Sequence, residues 1–200
     1  MRYFYDSEFI DTGSVIDLIS IGIVAEDGRE YYAQSCEFDH RKASDWVKDN
    51  VLTHLQSCLW ANVTHVDPQH SYVNELNYHH GQGQCVDQLR GWIHNCPWRT
   101  RAQLQREILS FMDPLLYGKP ELHGWCSGYD FVVFCQLFGT MMDLPPGYPH
   151  YMRDLQHVLD ERGISDEELP EQEEGLHYAL HDARHLKRLW GYIVRNDCWQ

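Results

Sequence analysis

With 200 residues, 43% of them hydrophobic, the chain has material for one sizeable core and too little for two independent ones. A net charge of −14 and a pI near 5.2 exclude a protein that coats duplex nucleic acid or an anionic membrane through a broad basic surface, since both need excess Lys and Arg. Local capture of an anion stays open, through a small basic patch or through metal ions held by carboxylates.

RYFYDSEFI, VIDLISIGIVAE after the turn DTGS, and REYYAQSCEF after the turn EDGR read as three strands joined by short Gly-containing turns, an antiparallel meander. The first strand carries Asp6 and Glu8 two residues apart. Side chains at that spacing share one face of a strand, roughly 7 Å apart along it, so two carboxylates look the same way. ASDWVKDNVLTHL then sets Trp46, Val47, Val51, Leu52 and Leu55 at helical spacing, which predicts a helix covering the sheet.

Residues 58–98 are rich in His, Asn, Gln and Gly with little periodicity and read as an insertion in the single domain of residues 1–200. Its His65, His70, His79, His80, Cys85, His94 and Cys96 are all zinc-ligand types, but their spacings match no established zinc pattern. An irregular surface excursion is the expectation there.

Order resumes at T-R-A-Q, a capping box on Thr100, followed by a stripe of Leu104, Ile108, Phe111, Met112 and Leu115. ELHGWCS reads as a buried strand feeding a helix in YDFVVFCQLFGTM, and YMRDLQHVLDERG as a short helix closed by Gly163. The acidic loop SDEELPEQEEG leads into a last helix with Leu180, Ala183, Leu186, Trp190 and Ile193 on one period. Strands first, then strands mixed with helices, predict an α/β class with a central sheet flanked by helices.

Two further acids stand out. Asp130 opens a helix in SGYDF, where an acid usually just favours the macrodipole. Asp182 lies between Leu180 and Ala183, beside the apolar stripe, where a solvated role is less natural. In a continuous helix His177 and Asp182 would diverge by about 140° and could not share a site. If the helix begins just after His177, the histidine projects from a lead-in loop and the aspartate sits one turn inside, which makes them neighbours.

No apolar run approaches a membrane span, the acids of MRYFYDSEF do not suit a signal peptide, and the seven cysteines form no CxxC pair. Reduced thiols and a cytoplasmic location are expected.

D-x-E in the first strand, Y-D opening a later helix and H-x4-D near the end, in that order, resemble the DEDDh family of 3′-to-5′ exonucleases. MRYFYDSEFI, IDLISIGIVAEDGREYYA, YDFVVFCQLFG, LPP and HYALHDAR are similar to the RNase AS group of bacterial polyadenylate-specific exoribonucleases, relatives of RNase T. The similarity covers roughly residues 1–57 and 100–190.

That resemblance implies an RNase H-like fold, a homodimer, two Mg²⁺ ions per active site with Mn²⁺ as substitute, and single-stranded RNA 3′ ends, adenylate-rich, as substrate. It assigns Asp6, Glu8 and Asp182 to one ion, Asp6 as the bridge to the second, Asp130 to the second through water, and His177 as general base. The donor types agree, because hard oxygen ligands suit Mg²⁺ or Mn²⁺. Phe9 and Tyr129 flank the acids as candidate base-stacking residues, with core packing as their bland alternative. Arg184 in HDAR is the candidate phosphate contact, ahead of Arg99, Arg101, Lys187 and Arg188. A DNA-trimming or proofreading exonuclease, an inactive nucleic-acid-binding module of the same fold and a zinc-organised interaction protein are the competing readings.

Overall fold

The computed structural model describes residues 1–56, 85–87, 92–94, 97–173 and 175–196. The expected meander is β1 (Arg2–Asp11), β2 (Ile16–Ala25) and β3 (Glu30–Ser35), each antiparallel to the next. Gly13 and Gly28 take φ of +80° and +95° in the two turns, a region that residues with a Cβ rarely enter.

Helix α1 (Asp45–Asn50) follows, then a short antiparallel pair, β4 (Cys85–Asp87) with β5 (Trp92–His94), and β6 (Trp98–Arg99). Beyond it come α2 (Arg101–Phe111), α3 (Pro114–Tyr117), β7 (Glu121–Gly124), α4 (Gly128–Gln136), β8 (Arg153–Asp154), α5 (Leu155–Arg162) and α6 (Ala179–Asn196). The main sheet is mixed, in the order β6-β3-β2-β1-β7-β8, with β6, β7 and β8 parallel to their neighbours. The two-residue strands β6 and β8 are too short to carry a periodic signal, and sequence reading misses both. Most of the insertion at 58–98 lies outside the described residues, as do the side chains of its zinc-ligand types.

Alternation along β1 divides the core between the two faces of the sheet. Tyr3 and Tyr5 are fully buried on one face, against Leu104, Ile108 and Met112 near α2 and Val133 and Phe134 of α4. Phe4 points to the other, where Val24, Leu155, Ala183, Leu186 and Leu189 pack. Period two therefore sends Asp6 and Glu8 to the α6 face. A bulge follows at once: Glu8 pairs with Ser20 and Phe9 with Leu18, leaving Ile19 as an extra residue on β2. Bulges bend a strand and re-aim its side chains, and they recur next to functional sites.

Two apolar expectations fail for local reasons. Leu115 is 93% exposed because α2 stops at Phe111 and Asp113 caps a new turn with Pro114 at its start, so the stripe loses its helical phase. Val51 is buried, with Val47, Leu52 and Leu55 packed against the same cluster as expected, yet Trp46 is 55% exposed. The Thr100–Gln103 capping box and the left-handed Gly163 at the end of α5 are both present. No described helix is long and apolar enough to cross a membrane.

Candidate active site: a carboxylate cleft at the start of α6

Asp6 lies opposite Gly22 on β2, and that glycine decides how closely α6 approaches the sheet. A Cβ at Gly22 would lie 2.2 Å from the Ala179 carbonyl oxygen, so only glycine lets the first residue of α6 rest on the strand there. The helix begins at Ala179, after His177, which places Asp182 in its first turn above the acids of β1. A cleft of about 660 Å³ results, and Asp6, Glu8, Asp130, His177 and Asp182 all line it.

Each acid is held differently. Asp130, buried in the first turn of α4, accepts at Oδ1 from the Ser7 backbone N–H (3.0 Å) and the Ser7 hydroxyl (2.6 Å). Ser7 lies between the two acids of β1 and points to the opposite face, so one strand supplies two carboxylates and anchors a third. Asp182 accepts the His177 backbone N–H at Oδ2 (3.0 Å) and the Gln172 side-chain amide at Oδ1 (2.5 Å). His177 takes φ +63°, an uncommon conformation for a residue with a Cβ, and its ring meets Trp46 edge-on with centroids 4.8 Å apart. One ligand atom each from Glu8, His177 and Asp182 falls within 4.8 Å of the others.

The electrostatics are those of crowded like charges. Burial, then the charges of Asp130, Glu8 and Asp182, holds the Asp6 carboxyl well above the usual range. Glu8 is pushed up to about 8 by burial and then by Asp182 and Asp130. Burial raises Asp130 to about 6 against the opposing pull of its Ser7 hydrogen bonds. Asp182 is also raised by burial, with Gln172 and the His177 N–H restraining the shift. Ionising such a cluster unaided costs on the order of several kcal/mol. No Lys or Arg is among the described residues lining the cleft. A donor set of carboxylate oxygens fits hard divalent cations.

The outer candidates divide. Phe9 lines the cleft, and Tyr129, 52% exposed, meets its ring edge-on at 5.8 Å. Arg184 is not among the described residues lining it; its guanidinium donates to both carboxylate oxygens of Glu30 at 2.9 and 2.8 Å. Arg99, Lys187 and Arg188 are likewise engaged, with Glu107, the Ala25 carbonyl and Glu173, and Arg101 pairs with Asp17. Reading the sequence did not single out Ser7, Gly22 or Gln172, and it assigned Trp46 to the core. A small residue inside D-x-E was the one available hint, whereas Gln172 gave none.

The description of a family of 3′-5′ exoribonucleases, the Rv2179c-like domain, matches residues 1–194. The chain is 36% identical over 197 residues to the 3′-5′ exoribonuclease Rv2179c of Mycobacterium tuberculosis strain H37Rv, covering 98% of this chain and 95% of that protein. The 3′-5′ exoribonuclease MT2234.1 of Mycobacterium tuberculosis strain CDC 1551 is similar to the same extent, 36% over 197 residues.

Proposed function

The chain belongs to the Rv2179c-like 3′-5′ exoribonuclease family, and from that premise we propose that it removes nucleoside monophosphates from single-stranded RNA 3′ ends by two-metal-ion hydrolysis, preferring adenylate tails. The observation that supports the metal-dependent reading is a cleft whose described lining holds six carboxylates, Asp6, Glu8, Asp130 and Asp182 among them, and no basic side chain except histidine. Asp6, Glu8 and Asp182 are the residues to hold one divalent ion, with Asp6 and Asp130 holding the second. When bound, such ions activate water and stabilise charge on the attacking and leaving oxygens.

The chain's own residues do the rest. Ser7 keeps Asp130 ionisable in a buried position by giving its carboxylate two hydrogen bonds. His177 sits within ligand distance of Glu8 and Asp182, and its imidazole takes the proton of the attacking water. The bond from water oxygen to phosphorus forms as the bond to the 3′ oxygen breaks. The products are a nucleoside 5′-monophosphate and an RNA one residue shorter with a free 3′ hydroxyl.

An acidic chain with so few basic residues at the cleft neutralises few phosphates, so it holds a short 3′ segment and its affinity falls gently with salt. We assign the mixed sheet to the RNase H-like fold and a homodimer to the assembly, both on the strength of the family resemblance. The experiment is incubation of 3′-oligoadenylate RNA, labelled at its 5′ end, with and without Mg²⁺. The expected result is a one-nucleotide ladder that requires the ion. Equal degradation of the four homopolymers would remove the adenylate preference, faster digestion of matched DNA would favour the DNA-trimming reading, and binding without cleavage would favour the inactive module.

A further inference from the structure

The last helix is preceded by an acidic strap, residues 165–173, along the cleft; Asp166, Leu169, Pro170, Glu171 and Gln172 contribute to its wall. Arg188 of α6 ties the strap down. Its guanidinium donates to the Glu171 carbonyl at 3.1 Å and pairs with the Glu173 carboxylate at 3.1 Å. Between these two anchors the Gln172 side chain turns inward. Its amide nitrogen donates to Asp182 Oδ1 at 2.5 Å and, more weakly, to the Gly175 carbonyl at 3.5 Å. The amide orientation follows from its partners, since both are acceptors and only the NH₂ end can face them.

We infer that Gln172 is a positioning residue for Asp182, one that fixes the carboxylate for metal binding without adding charge to it. This rests on the proposed metal-dependent activity. Asp182 repels the charges of Asp6 and Glu8, and a rotamer change would carry it out of register with Glu8. The Gln172 amide and the His177 backbone N–H hold its two oxygens from different directions, which leaves the carboxylate one orientation. Each oxygen keeps a lone pair for an ion. A neutral donor suits the task better than Lys or Arg, whose charge would oppose the cation. The same contact joins the strap to the turn bearing His177, so Gln172 also sets where that turn can sit.

The test uses the full chain with Gln172→Leu and the isosteric Gln172→Glu. Mn²⁺ binding is followed by calorimetry, stability by melting in chelator, and kcat and KM on oligoadenylate RNA. Removing a hydrogen-bond partner of a metal ligand typically weakens metal affinity or activity by about 10- to 100-fold. For Gln172→Leu we expect a weaker Mn²⁺ Kd in that range, kcat reduced and KM for RNA unchanged. Gln172→Glu should melt lower than the parent in chelator at pH 8, where it faces Asp182 as a like charge, and recover more on adding Mn²⁺. Parental Mn²⁺ affinity and kcat in both variants would overturn the inference while the metal-dependent reading stood. A parent chain that neither binds Mn²⁺ nor needs a divalent ion for cleavage would overturn both.

Discussion

Asp6 and Asp182 belong to one cluster, yet their environments predict different consequences on removal. Asp6 is raised chiefly by burial and by three acidic neighbours, so Asp6→Asn relieves repulsion: turnover should be lost while the melting temperature in chelator at pH 8 rises above the parent's. Asp182 accepts two hydrogen bonds, and Asp182→Ala leaves the Gln172 amide and the His177 N–H without their acceptor. That variant should also lose turnover, at a stability cost of about 1–3 kcal/mol by urea denaturation. A cleaving Asp6→Asn variant would remove the metal seat from the assignment. With His177 as the proposed general base, His177→Ala should lower kcat by about 10²- to 10⁴-fold with metal affinity nearly kept. Its φ of +63° adds a second expectation, since glycine adopts that conformation without penalty. His177→Gly should be as inactive as His177→Ala but more stable by about 1 kcal/mol. Equal melting temperatures would mean that the turn relaxes out of the left-handed region in the variants.

Among the elements, α6 matters most to the site, because it delivers Asp182 and closes one face of the sheet through Ala183, Leu186 and Leu189. Its approach depends on the absence of a side chain at Gly22. A methyl group there meets backbone atoms of Ala179 and Leu180 at 2.2–2.5 Å, which no rotamer change can relieve. Gly22→Ala should therefore lift the helix start away from β2, at about 1–3 kcal/mol in stability, the usual range for overpacking. It should also weaken Mn²⁺ binding, because Asp182 moves with the helix and Asp6 stays with the strand. Unchanged metal affinity in a destabilised Gly22→Ala protein would mean that the two acids are not jointly positioned by this contact. α1 has a smaller part: Val47, with Val51 at its C-cap, seats it in the core, and its exposed Trp46 meets the His177 ring nearly perpendicularly.

At the scale of the whole molecule, the acids and one histidine set opposing pH dependences. Glu8 has an ordinary value of 4.5 and lies near 8 in the folded chain, and Asp6 and Asp130 are raised as well. The folded state therefore binds more protons than the unfolded chain between those values, and metal-free stability is lost as pH rises from about 4.5 to 8. His123 acts in the other direction. It is 1% exposed between Phe4 and Trp190, with no hydrogen bond to its ring nitrogens among the described residues and the Glu121 carboxylate 3.8 Å from Nε2, and burial lowers it from 6.5 to about 4. Its contribution is present above pH 6.5 and is lost as pH falls towards 4. Melting in chelator should consequently pass through a maximum in weakly acidic buffer and decline towards pH 8, and Mg²⁺ should abolish the decline. Identical melting temperatures in chelator at pH 6 and pH 8 would contradict the clustering of ionisable acids.

What the amino-acid order determined unaided was local and periodic. Alternation put Asp6 and Glu8 on one face, turn glycines divided the meander, and the Thr100–Gln103 box began α2. Such features follow from backbone geometry within a few residues, so they survive without knowledge of the fold. What only the tertiary structure decided involves partners distant in the chain. Ser7 reaches Asp130 across 123 residues, Gly22 admits Ala179, and Arg184 pairs with Glu30 at a separation of 154. Trp46 and Gln172 acquire their places only when α1 and the strap close on the start of α6. A side chain's charge and shape can be read from the sequence, but whether it faces a core, a carboxylate or open solvent depends on which surfaces the packed sheet and helices leave beside it.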